Sequence, residues 1–309
     1  MAIAIPRPGE VLAHLLAHAQ AKTYSLEEAV DYCRRLALAH YENFTVASWF
    51  LPRRLRPHMY VVYAYCRGVD DLGDEAEGDR LALLDEWEAE LRRAYEGNAR
   101  HPVFVALAHT VRQFDIPPEP FLKLIEANRM DQRQGRYATY ADLLRYCEHS
   151  ANPVGHLVLY LFGYRDRERQ RLADATCTGL QLANFWQDVS VDLEKGRIYI
   201  PLEDMRAYGY QESDLLARKY DHRFRRLMAF EVGRARELFA RGLRLVPMVQ
   251  GRLRLDIKLF NLGGLAILDA IEAIDYDVLH RRPTLSRARK AALVLRGLLP
   301  VPVRVRGLT

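Results

Sequence analysis

Apolar residues recur along this chain at spacings of three and four, the repeat that covers one face of an α-helix, and alternation of period two is scarce. The periodic stretches are interrupted by segments rich in Gly, Pro and short polar residues: EGNARHP (96–102), DIPPEP (115–120), GYRDRE (163–168), AYGYQESD (207–214) and RRPTLS (281–286). Some helix starts can be read directly. Ser25 precedes LEEAV with Glu28 three residues on, the pattern of a capping box. No internal repeat, low-complexity tract or Gly/Ser linker divides the chain. The pattern predicts an all-α fold, a single domain over residues 1–309, with roughly ten helices at average helix and loop lengths.

Two of the apolar helices carry polar stripes that a core does not explain. In LQLANFWQDVSVD (180–192), residues Gln181, Asn184, Asp188 and Asp192 fall within an arc of roughly 80° on an ideal helix. Leu182, Trp186, Val189 and Leu193 take a different side, as a core stripe does. In YVVYAYCRGVDDLGDE (60–75), Tyr63, Arg67, Asp70 and Asp74 share about 60°, opposite Val61, Tyr65, Val69 and Leu72. A solvated face draws on Lys and Glu of alternating sign, whereas these stripes are dominated by carboxylates and amides. Carboxylates one turn apart repel unless a cation lies between them. Mg²⁺ suits that place, because it takes one or two carboxylates together with phosphate oxygens. Arg67, one turn earlier, is set to grip the same phosphate by a charge-assisted bond. Two stripes of one chemistry predict a cavity with carboxylates on opposite walls, several Mg²⁺ ions between them and a diphosphate as the bound charge.

Composition narrows the setting. Half the residues are hydrophobic and 28% are charged, a globular rather than disordered balance. Runs such as HLVLYLFGY and NLGGLAILDAIEAI are too short or too interrupted to span a bilayer, and no secretion signal opens the chain, so a cytoplasmic location is expected. Cys33, Cys66, Cys147 and Cys177 form no CxxC and read as reduced thiols. His14 and His18 have the HxxxH spacing, but nothing supplies further zinc ligands. The net charge of +5 is concentrated after Arg281, where arginines alternate with AALVLRGLLPVPV. That tail suits either an anionic membrane surface or a solvated helix with a frayed end. No nucleic-acid partner is expected.

At these motifs the sequence resembles the squalene/phytoene synthase family. CRGVDDLGDE resembles the family's first aspartate-rich motif, and LQLANFWQDVSVDLEKGRIYIP its second. HYENF (40–44) stands where the family has a segment that closes over diphosphate, and RYCEHSANPVG (145–155) resembles YC-x-x-VAG-x-VG. IDYDVLHRRPTLSRARK resembles the closing helices, so the likeness runs from about residue 25 to about residue 292. The departures are informative. The family's second motif reads close to NIxRDxxED, but Gln187 stands at the arginine and Val191 at an acid. ENFTVASWFLP, FWQD and SANPVG look like the bacterial hopanoid-pathway branch that handles presqualene diphosphate.

The resemblance implies an isoprenoid-synthase helical bundle around a central cavity, and Mg²⁺-dependent conversion of presqualene diphosphate to hydroxysqualene. It implies Mg²⁺ ligands at Asp70, Asp74, Asp188 and Asp192, with Asp71 and Asn184 assisting, and no nicotinamide cofactor. His40, Asn43, Arg67, Gln181, Asn184 and Tyr276 would hold diphosphate, with Tyr41 in the closing segment and Arg289 or Lys290 nearby. Phe185 and Trp186 are expected to pack in the core rather than to stabilise a carbocation. Functional coupling to a presqualene diphosphate synthase and a hydroxysqualene reductase would follow, at the inner face of a membrane. Two alternatives remain: a head-to-head prenyltransferase condensing two farnesyl or geranylgeranyl diphosphates, and a non-catalytic helical assembly factor. Both acidic stripes being intact argues against the last.

Overall fold

The computed structural model describes residues 23–40, 52–299, 303, 305 and 306. His14, His18, Tyr41 and Asn43 lie outside the described residues, as does the side chain of His40. The fold is all-α. Among the described residues, sheet structure is limited to an isolated parallel bridge between Arg136 and Ile198.

The helices are α1 (Leu26–His40), α2 (Arg56–Asp74), α3 (Arg80–Glu96), α4 (Pro102–Phe114), α5 (Glu119–Arg133), α6 (Tyr140–Ser150) and α7 (Asn152–Leu161). There follow α8 (Arg167–Gln187), α9 (Val189–Glu194), α10 (Leu202–Ala207), α11 (Glu212–Leu216), α12 (His222–Gly242), α13 (Gly251–Ala273) and α14 (Arg287–Leu298). A 3-10 turn, Leu243–Met248, joins α12 to α13. Each of the five interruptions predicted from sequence contains a gap between helices or part of one. The helices outnumber the ten expected because α9, α10 and α11 are only six, six and five residues long, too short for an apolar repeat to reveal. Ser25 and Glu28 form the reciprocal cap predicted for α1, with bonds of 3.0 and 3.2 Å. All four cysteines are free, and no helix among the described residues is long and apolar enough to cross a membrane.

The chain divides into two compact units. The first contains α1–α5 and the end of α7. Its central helix is α2, which packs on α1, α3, α4 and α5. Trp87 of α3 is its anchor, with the Phe104 ring at 4.6 Å and the Tyr65 ring at 5.6 Å. Tyr65 satisfies its hydroxyl by donating to the Phe121 carbonyl at 3.0 Å, so its ring is buried without an orphaned donor.

The second unit is built on α8, α12 and α13, which pack against one another. Phe239 of α12 fills the space that two glycines leave. A Cβ on Gly264 of α13 would fall 2.1 Å from its ring, and one on Gly179 of α8 would fall 3.2 Å away. Asp166 and Asp221 start α8 and α12 by accepting backbone N–H bonds at 3.0 and 2.9 Å.

Candidate active site

The first aspartate-rich motif occupies the last turns of α2, in the first unit. Val61, Tyr65, Val69 and Leu72 are buried as predicted, which turns Asp70 and Asp74 outward to water. Asp71, one residue further round the helix, is 2% exposed and bound by Arg67 Nη2 at 2.5 Å; the same nitrogen reaches Glu75 at 3.1 Å. Asp71 therefore holds Arg67 in place, leaving Asp70 and Asp74 as the accessible pair. Burial works against the Arg67 charge, but Asp71 and Glu75 outweigh it and raise its pKa. The Arg67 side chain as a whole stays 28% exposed, so part of it remains open to an anion.

Gly73 within DDLGD has a steric reason. A Cβ there would lie 2.0 Å from Asn128 Oδ1 of α5. This close approach lets Asn128 Nδ2 reach Asp70 at 3.4 Å and Gln132 donate to the Gly73 carbonyl at 2.8 Å. Part of the Asp70 side chain meets water, yet the protein crowded around it desolvates the carboxyl and pushes it up to about 7; the Asn128 bond lowers it and the Asp74 charge raises it further. Two accessible carboxylates one turn apart, beside a partly exposed arginine, are a donor set that fits Mg²⁺ with phosphate oxygens. Among the described residues no three His, Cys, Asp or Glu side chains converge to hold a metal by themselves. An ion held here would take its other ligands from substrate and water.

The second motif lies in the second unit, and its backbone differs from the expectation. The single helix predicted over 180–193 breaks at Asp188, whose φ of −106° and ψ of 15° end α8. The arc drawn through Asp192 does not extend across that break. Asp188 still accepts the Val191 and Asp192 N–H groups at 2.9 Å, starting α9. A segment from far along the chain docks on the junction. Gln187, 7% exposed, donates its amide to the Pro283 carbonyl at 2.6 Å. Arg282 binds the Asp188 carboxylate through two nitrogens, at 2.6 and 3.2 Å.

That segment returns to the junction through a strained turn after α13. Asp275 and Tyr276 adopt left-handed φ values of 56° and 66°, which cost free energy for residues other than glycine. Tyr220 offsets this by donating to the Asp275 carbonyl and carboxylate at 2.8 and 2.9 Å, and Arg225 pairs with Asp275 at 2.6 Å. Tyr276 is thus half-buried in the turn that aims Arg282.

Along the stripe, Asn184 is exposed, while Gln181, Asp188 and Asp192 are half-buried. Asp192 borders a crevice of about 10 Å³ with Phe185 and Tyr199, too small for a substrate. Phe185 stacks on Tyr199 at 3.7 Å and Trp186 is fully buried, so both pack in the core as expected. In the SANPVG segment, Asn152 accepts from Thr178 of α8 at 2.9 Å. Arg289 lies on α14, 3.8 Å from Asp269, and Lys290 is exposed beside it. Sequence reasoning missed Asn128, whose signal was the glycine inside DDLGD. It also missed Arg282, which it counted only as part of the basic tail.

The profile of the family described as squalene/phytoene synthase matches residues 37–289. Among solved structures, squalene synthase HpnC from Alicyclobacillus acidocaldarius is 54% identical, with a TM-score of 0.80 over 81% of this chain and 95% of that one. A ligand-bound dehydrosqualene synthase gives the same TM-score at 25% identity, covering 88% of this chain and 96% of its own. Among curated proteins, the phytoene synthase of Thermus thermophilus is 35% identical over 86% of this chain and 91% of its own length. The 15-cis-phytoene synthase of Synechococcus elongatus is 31% identical at the same two coverages.

Proposed function

We infer the reaction from one premise: the chain belongs to the squalene/phytoene synthase family, and is an enzyme of the head-to-head prenyltransferase type. Its proposed reaction is the conversion of presqualene diphosphate to hydroxysqualene. The carbon–oxygen bond to diphosphate breaks with its electron pair on the leaving group. The cyclopropylcarbinyl cation rearranges, water adds to it, and the added water loses a proton to solvent. The observation that carries this reading is the contrast in likeness: 54% identity to a squalene synthase against 31–35% to phytoene synthases. The FWQD and SANPVG departures from the family pattern support it.

The residues divide the work as follows. Asp70 and Asp74 in one motif, and Asp188, Asp192 and Asn184 in the other, would hold Mg²⁺, which neutralises charge on the departing diphosphate. Arg67, steadied by Asp71, donates to a phosphate oxygen; so do Gln181 and Asn184 from α8. Arg282 neutralises Asp188 and can pass to phosphate when a cation takes that carboxylate. His40, Asn43 and Tyr276 are proposed diphosphate contacts on the strength of the family motif alone. The phytoene synthase relatives favour a second reading, condensation of two prenyl diphosphates.

One assay separates the readings. Purified protein and Mg²⁺ are incubated with presqualene diphosphate, and separately with farnesyl or geranylgeranyl diphosphate, and the lipids are identified by mass. Hydroxysqualene from the first substrate alone supports the proposal. Presqualene diphosphate or phytoene from the others overturns it.

A further inference from the structure

We propose that the outer face of α14, with the groove between it and α13, docks on an anionic lipid bilayer. One side of α14 packs tightly: a Cβ on Gly297 would fall 2.4 Å from Leu259 of α13. Around and just beyond that contact, the end of the helix is left to water. Leu295, Leu298 and Leu299 are 66%, 60% and 54% exposed, and Leu295 is the most exposed large apolar residue among those described. Beside them opens a groove of about 680 Å³ whose walls include Leu243, Val246, Pro247 and Leu255. Exposed apolar surface gathered in one place marks a contact rather than chance.

Charge selects the partner. The sequence of α14, RARKAALVLRGL, contains four basic residues and no acid. Arg287, Arg289, Lys290 and Arg296 are all exposed, and Arg254 adds to the rim of the groove. The nearest carboxylates, Asp269 and Glu272, share Arg236 at 2.9 and 2.7 Å, and Asp269 also draws on Arg289 at 3.8 Å, so the field of α14 rests on Arg287, Lys290 and Arg296. A leucine face ringed by arginines fits a helix lying in the plane of a bilayer, with its leucines below anionic headgroups. A second copy of the chain meeting this face across a two-fold axis would bring the basic ring against itself. The inference stands on exposure and charge, and holds whichever prenyl diphosphate the enzyme uses.

The test is flotation of the full-length protein with vesicles of phosphatidylcholine, alone or mixed with phosphatidylglycerol. The protein should float with the mixed vesicles and remain behind with the neutral ones. The double variant Leu295→Asp/Leu298→Asp should lose at least tenfold in partition while keeping its melting temperature and its turnover of detergent-dispersed substrate. Arg296→Gln, which leaves the apolar face intact, should lose about fivefold. Failure of the wild type to float with anionic vesicles, or flotation of the double variant equal to wild type, overturns the proposal. A concentration-dependent dimer that the double variant abolishes would also overturn it, giving the face to a second copy.

Discussion

Replacing Gln187 asks whether one amide holds the segment that carries Arg282. The side chain is 7% exposed and its Nε2 lies 2.6 Å from the carbonyl of Pro283, itself buried. Gln187→Met keeps the length and bulk and removes the donor. The Pro283 carbonyl is then left without its partner in a buried setting, at a cost of about 1–3 kcal/mol. At 1.4 kcal/mol per factor of ten, the ratio of docked to released segment falls about 5- to 150-fold. The Arg282–Asp188 pair is too weak to compensate. Arg282 is 48% exposed, and exposed pairs contribute about 0.2–1 kcal/mol. Amide exchange across residues 276–290 should therefore speed up while the amides of α8 keep their protection. KM for the diphosphate substrate should rise more than kcat falls, since the change acts on a binding segment. Gln187→Arg restores the residue common in the family, but sets a second cation beside Arg282 in competition for Asp188, so it should alter the product mixture. Wild-type exchange over residues 276–290 together with wild-type KM in Gln187→Met would refute the clasp.

Asp70→Ala and Asp188→Ala should each abolish Mg²⁺-dependent turnover. Because the Asp188–Arg282 pair is partly exposed, its side chains 26% and 48% accessible, Asp188→Ala should cost about 1 kcal/mol of stability; near-normal turnover in both variants would sink the two-motif assignment. Gly73→Ala would place a methyl 2.0 Å from Asn128 Oδ1, destabilising by about 1–3 kcal/mol and displacing the amide beside Asp70. Wild-type melting temperature and turnover would show that α5 accommodates it freely. A pH effect should arise at Glu231, which is fully buried and 3.6 Å from Arg234. Desolvation pushes its carboxyl up to about 9, Arg234 lowering it and Asp204 raising it. The folded protein then keeps a proton that the unfolded chain releases from its ordinary value of 4.5. This contribution to stability is complete below that value and is lost as pH rises toward 9. Glu231→Gln removes the slope, so the variant should gain on wild type between pH 5 and pH 8 by on the order of a few kcal/mol. A constant difference in melting temperature at the two pH values would contradict it.

The all-α fold and both motif helices were legible because burial repeats at helical spacing. Val61, Tyr65, Val69 and Leu72 are buried for the same reason they are spaced as they are. What periodicity could not convey is long-range. The break at Asp188 is met by Arg282 and Pro283, more than ninety residues away in sequence, and a hydrophobic repeat carries no information about such a contact. The short helices α9–α11 escaped for the opposite reason, being shorter than the window that a repeat needs. The helical arc already sets Asp71 apart from Asp70 and Asp74 in DDLGD, but only the packing of α2 shows its part: its carboxylate is buried against Arg67, while that of Asp70 faces water beside Asn128.

A common logic links the two motifs, each within its own unit. Carboxylates kept ready for a metal repel one another, and the folded chain must bear that cost before any cation arrives. In α2 the Asp71 charge is met by Arg67, while burial, more than the Asp74 charge, raises Asp70 to about 7. At the end of α8 the cost is met by lending Arg282 to Asp188. The positive groups that neutralise the two motifs are the groups proposed to hold diphosphate, so binding at each motif is an exchange of partners rather than an addition of charge. The loan at Asp188 depends on a half-exposed arginine whose neighbour Pro283 is held by the Gln187 amide, whereas Arg67 is fixed within its own helix. The second motif is therefore the more easily remodelled of the two, and residue 187, where this chain departs from its family, is the place in that motif where a single side chain decides whether Arg282 is available.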